Sequence, residues 1–147
     1  MILPDVNLIL YAYDLDSPFH PAAAAWWTKC LSSAETVGVA QVIVFAFLRL
    51  STSSRIFANP FSVQAAIREA NAWSEQPNVR VLAADQDDWQ EACRLLKNAG
   101  GSGNLVTDAQ LGAFALSYRG TVHTADTDFQ RFPGVSWFNP ITGAKGS

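Results

Sequence analysis

Short runs rich in β-branched and apolar residues recur along the chain, and the stretches between them are mostly long enough for a helix. The runs are "MILPD", "TVGVA", "VRVLA", "TVHTA" and "VSWF". Between them come "VNLILYAY", "HPAAAAWWTKCLSSA", "QVIVFAFLRLSTS", "SVQAAIREANAWSEQ", "DQDDWQEACRLLKNAG" and "LVTDAQLGAFALSYRG". This alternation predicts an α/β fold: a central parallel sheet, right-handed crossovers and helices on both faces, three layers in all. In such a fold ligands gather outside the carboxyl ends of the strands. The chemistry-bearing residues to look for are therefore those that close a strand.

Local signals agree with the alternation. Pro21 follows His20 and suits a first helical turn. Ser62 reads as the cap of the helix after it, Asn104 as a cap and Gly120 as a helix stop. The segment beginning at Asp85 carries acids in its first turn and Lys97 in its last, as the helix dipole favours. The run from Gln41 to Ser53 opens with β-branched residues, but its length makes it a buried helix. "GGSGN" is a Gly-rich break, and the tail "ITGAKGS" reads as frayed. The organisation that follows is one domain over residues 1–141 and a flexible tail over 142–147.

Composition narrows the function classes. The chain has 147 residues, enough for one domain, and 49% are apolar, enough for a core. Only 16% are charged and the net charge is −3. Binding nucleic acid by bulk charge is thereby excluded, whereas reaching a phosphodiester through a bound cation is not. No apolar run approaches the roughly 18 residues of a membrane span, and the N-terminus lacks a secretory pattern. A cytoplasmic protein with no membrane partner is expected. Cys30 and Cys93 lie far apart without a CxxC spacing and read as reduced thiols.

Three acids from distant parts of the chain fall at element ends. Asp5 closes the first run, Asp126 closes "TVHTA", and Asp108 lies in the first turn after the Gly-rich break. Singly, each has an ordinary explanation. Asp5 can cap the following helix, Asp108 can face the helix dipole, and "DTD" can be a turn. Jointly they suggest a hard divalent cation, because such ions take oxygen ligands and a bare carboxylate cluster repels itself.

The pieces "PDVNLILYAYD", "FLRLSTSSRIF", "GNLVTDAQLGAFALSYRG" and "TADTDFQRFPGVSWFNP" come in an order, and over nearly the whole length, that resembles the PIN-domain ribonucleases. Within them the chain is most similar to the VapC toxins of bacterial toxin–antitoxin pairs, in a branch abundant in mycobacteria. The resemblance implies a PIN-like α/β/α fold and a metal-dependent endoribonuclease, with Mg²⁺ as cofactor and Mn²⁺ able to substitute. It places the metal-holding and catalytic acids at Asp5, Asp108 and Asp126. Asn7 and Thr124 would orient them, and Asp128 would be an outer ligand or an anchor behind them; because Asp-Thr-Asp is turn-prone, its carboxylate is expected to bond backbone N–H groups of the turn. It further implies a VapB-type antitoxin, a homodimer, and a transfer or ribosomal RNA substrate. One departure stands out. A Glu commonly lies three residues before an Arg on the third helix; here the Arg is Arg49 and the Glu position holds Ala46.

His20 and His123 are the only histidines, so acid–base cleavage by a histidine pair is not expected. Arg49 and Arg55, then Lys97, Arg119 and Arg131, are the candidate RNA contacts. Trp26 and Trp27 are candidates for base stacking, but an Ala-rich helix makes them core or interface residues instead. Two readings from other classes remain. One is a PIN fold that binds RNA or acts as a scaffold without cutting, given Ala46. The other is a phosphoacceptor of the response-regulator kind, which lacks support because no run ends in Lys.

Overall fold

The computed structural model describes residues 1–101 and 103–147; position 102, inside the Gly-rich break, lies outside the described residues. The elements are β1 (Ile2–Pro4), α1 (Val6–Tyr13), α2 (His20–Ser32), β2 (Val37–Ala40), α3 (Gln41–Ser51), α4 (Val63–Ser74) and β3 (Val79–Leu82). They continue with α5 (Gln86–Ala99), α6 (Leu105–Ser117), β4 (Thr121–His123), a 3₁₀ turn (Asp128–Arg131), β5 (Trp137–Phe138) and β6 (Lys145–Gly146).

The sheet order is β3-β2-β1-β4-β5-β6. All neighbours run parallel except β6, which pairs antiparallel with β5. From β1 the chain moves outward through β2 to β3, then returns across the sheet to β4 on the other side of β1. With right-handed crossovers this puts α1 to α4 on one face and α5 and α6 on the other. Accordingly α1 packs on α2 and α3, α3 on α4, and α5 on α6. The winding reverses between β1 and β4, and their carboxyl ends form the crevice in which such sheets bind ligands.

Burial follows from the double coverage. β1 and β2 are buried along their whole length, and Ile43 and Phe47 pack the inner side of α3 at no exposure. Each fully buried side chain of this size stabilises the fold by about 2 kcal/mol. Trp27 is buried edge-on against Trp73, with ring centroids 5.5 Å apart. The Trp73 indole N–H donates to the Tyr13 hydroxyl (2.8 Å), which donates to Glu69 (3.0 Å), fastening the end of α1 to α4. Trp26 donates its indole N–H to His123 Nδ1 at 3.0 Å. Burial, first, and the nearby N-terminal ammonium push the His123 imidazole down to about 4, so it is a neutral packing partner near neutral pH. Trp26 and Trp27 therefore serve the core.

Three local expectations are corrected. Asn104 stands at the N-cap of α6 but its side chain makes no capping bond; its backbone is already helical. Helix α6 is stopped by Arg119, the residue that takes a left-handed φ of 49°. Gly120 serves close approach instead: a Cβ there would lie 3.0 Å from the Met1 carbonyl oxygen, beside β1. The tail read as frayed carries β6, which joins the sheet through Lys145 and Gly146 because Gly143 (φ 79°) lets the chain double back. Ser62, by contrast, caps α4 as expected, accepting the Ala65 N–H.

Candidate active site

Asp5 is the residue on which β1 ends and α1 begins. Its backbone is extended and it occupies the N-cap position, yet its carboxylate makes no capping bond to the helix. The carboxylate is used across the sheet. Oδ2 accepts the Thr124 hydroxyl at 2.7 Å and the Asn7 amide at 2.8 Å. Asn7 reaches the same strand end twice more, donating to Thr124 Oγ1 (3.3 Å) and accepting the Ala125 N–H (3.2 Å). Thr124 Oγ1 also accepts the Asp126 N–H at 2.9 Å. One turn of α1 and the end of β4 are thus bolted together by three side chains. Asn7 and Thr124 both bond the Asp5 carboxylate.

Asp126, two residues past Thr124, turns its carboxylate back on the chain. Oδ1 accepts the Asp128 N–H at 2.9 Å, which starts the 3₁₀ turn. The backbone bond expected of Asp128 is made by Asp126 instead, and the Asp128 carboxylate accepts no hydrogen bond among the described residues. Oxygen atoms of Asp108, Asp126 and Asp128 all lie within 4.8 Å of one another. Asp108, in the first turn of α6, is buried, with Asp126 and Asp128 more open beside it. Asp5 sits outside that trio but lines the same cleft of about 450 Å³ together with Asp108 and Asp126.

The electrostatics record the crowding. Burial, first, and then the charges of Asp5, Asp126 and Asp128 raise the Asp108 carboxyl to about 7. Burial raises Asp5 to about 6 and the Asp126 charge adds to it, while the Thr124 hydroxyl opposes the rise. Two carboxylates near neutrality beside two more form an all-oxygen donor set with unmet negative charge. This fits a hard divalent cation, which takes oxygen ligands and offsets the repulsion.

The remaining wall of the cleft comes from α3 through Ala46, Arg49 and Leu50, and from Gly103, Asn104 and Thr107. Ala46 thus faces the acids, where the resemblance leads one to look for a Glu. Arg55, on the loop after α3, is exposed and does not line the cleft. Thr107 was not singled out in the sequence; its one signal is adjacency to Asp108.

The PIN domain family model matches residues 2–135. Ribonuclease VapC33 of Mycobacterium tuberculosis is 38% identical over 141 residues, which span 96% of this chain and 99% of the relative. The chain belongs to the PIN-domain family, in its VapC branch. The fold agrees with solved PIN structures. VapC20 of M. tuberculosis, titled a sarcin-ricin loop cleaving toxin, superposes with a TM-score of 0.69 at 19% identity, covering 88% of this chain and 93% of that one. A toxin–antitoxin complex from Klebsiella pneumoniae gives 0.67 at 15% identity over 95% and 98%. The four acids of this PIN domain come from β1, α6 and the segment after β4, and only the crossover return to β4 brings them together.

Proposed function

We propose that this chain is a metal-dependent endoribonuclease, the toxin of a toxin–antitoxin pair, with Mg²⁺ in the acid cleft and Mn²⁺ able to replace it. The observation that carries the reading is the convergence of Asp108, Asp126 and Asp128 beside a buried Asp5 at the reversal of the sheet. The ribonuclease activity of the VapC relative supports RNA as the substrate. Structured cellular RNA, transfer or ribosomal, is the substrate class.

Asp108, Asp126 and Asp128 would hold the ion, with Asp5 completing the set from behind. A divalent cation held there acidifies a bound water and offsets charge gathering on the phosphate. The protein's own work is to aim the carboxylates. Asn7 and Thr124 fix Asp5, and Thr124 fixes the turn that presents Asp126. One of the carboxylates would take the proton that the attacking water gives up. In the hydrolysis a water oxygen bonds to phosphorus, one P–O ester bond breaks, and the leaving oxygen gains a proton.

A VapB-type antitoxin would silence the cleft by placing a basic side chain among the acids, in competition with Mg²⁺. The test of the reading is cleavage of total RNA by the purified protein with Mg²⁺, with Mn²⁺ and with EDTA. Ion-dependent cleavage at discrete sites is expected. Ala46 in the cleft wall favours one second reading, an RNA-binding module that does not cut; retention of RNA without cleavage under any ion would select it.

A further inference from the structure

The cleft has walls of opposite sign. Asp5, Asp108 and Asp126 line one, and α3 lines the other with Ala46, Arg49 and Leu50. These three are spaced i, i+3 and i+4, so they share one helix face. Arg49 is the single cation among the described lining residues. It is exposed, and among the described residues it forms no ion pair and its guanidinium no hydrogen bond. On α5, by contrast, Glu91 holds Arg94 one turn away. The corresponding neighbour of Arg49 is Ala46, a methyl group. Helix α3 therefore has no acid at that position to occupy Arg49, and its donors stay available on the rim of an acidic cleft.

We propose that Arg49 grips the RNA phosphate being cut, taking its non-bridging oxygens opposite the carboxylate wall. The proposal rests on the ribonuclease reading and names the residue that brings substrate into that site. A phosphate carries negative charge and is repelled by four carboxylates unless cations face it from both sides. An ion at the acids supplies one side; on the other, Arg49 is the only cation lining the cleft among the described residues. A guanidinium fork matches two phosphate oxygens at once, and an ammonium does not. Its charge also falls where negative charge grows during hydrolysis. Small Ala46 leaves width between the walls for the sugar–phosphate chain. Arg55, named beside it from the sequence, has no part in this, because it does not line the cleft.

The test compares Arg49→Ala and Arg49→Lys with the wild type, using a labelled single-stranded RNA oligonucleotide that spans a mapped cleavage site. With saturating Mn²⁺, kcat/KM of Arg49→Ala should fall by about 100-fold. Arg49→Lys should recover about tenfold of that, having the charge without the fork. In EDTA, binding is followed by anisotropy over a range of salt. Losing one phosphate contact should lower the slope of log affinity against log salt by about 0.7. The Mn²⁺-induced rise in melting temperature should match the wild type. An unchanged salt slope with cleavage within about twofold of wild type overturns the proposal. So does loss of the Mn²⁺-induced rise, which would make Arg49 a support of the acid cluster. Should the wild type fail to cleave with any ion, the ribonuclease reading is what falls, and the salt slope in EDTA still decides the phosphate contact.

Discussion

Replacing Asp108 by Asn should stabilise the metal-free protein above pH 6 and leave it near wild type below pH 4. The Asp108 carboxyl is raised to about 7 by burial and by three neighbouring carboxylates. In the folded state it holds its proton over a pH range in which the unfolded chain has already lost it. The native state thus binds more protons there, so stability falls as pH rises from about 4 to 7. A rise from the usual carboxylate range to about 7 corresponds to about 4 kcal/mol at about 1.4 kcal/mol per unit, and solvent entering the cleft reduces this to about 2 kcal/mol. Asn keeps the shape and removes the charge, and among the described residues the Asp108 carboxylate accepts no hydrogen bond that the change would forfeit. The assay is urea unfolding in EDTA at pH 4, 6 and 8. The Asn variant should gain on wild type progressively, by about 2 kcal/mol at pH 8. Added Mn²⁺ should reverse the order, since only the wild type gains the binding free energy of the ion. A variant equal to or weaker than wild type at pH 8 in EDTA refutes the account of a self-repelling cluster.

Asp126→Asn and Asp128→Asn should each lower RNA cleavage by about 100-fold and shrink the Mn²⁺-induced thermal shift, because both carboxylates stand with Asp108. Retention of the full shift by Asp128→Asn would return that residue to a merely supporting place. Thr124→Val should cost about 2 kcal/mol in urea unfolding, since Asp5 loses one of its two side-chain donors and the Asp126 N–H loses its acceptor; a neutral substitution would show that Asn7 alone holds the bolt. Ala46→Glu should tighten Mn²⁺ binding by about 1 kcal/mol by calorimetry and lower the melting point in EDTA. A melt loss that Mn²⁺ cannot restore would mean that the new carboxylate does not reach the ion.

The elements were legible in the sequence because each rests on local chemistry. Helix α1 runs from Val6 to Tyr13 and α3 from Gln41 to Ser51, close to where period and length put them. Ser62 caps α4 because a hydroxyl three residues before a free N–H needs no tertiary help. Signals that depend on contact failed in the same places. Gly120 looked like a helix stop, but its reason is the Met1 carbonyl on the neighbouring strand. The tail looked loose, but β5 offers it an open edge.

The site divides along the same line. That Asp5, Asp108 and Asp126 could converge was readable: each closes or opens an element, and strand ends in a parallel sheet are where sites form. Sequence also supplied the motif order that ties the chain to PIN domains. What sequence could not set was direction. The turn after Ala125 lets Asp126 Oδ1 accept the Asp128 N–H while the carboxylates of both residues stay beside Asp108. Thr124, which accepts the Asp126 N–H two residues on, is itself held by donating to Asp5, a partner more than a hundred residues away. Likewise Arg49 and Arg55 are alike as sequence, and only the face of α3 turned to the cleft separates them. Local propensity fixes which residues form elements; the crossover that lays β4 beside β1 fixes which side chains meet, because convergence is set by distances that no neighbouring residue encodes.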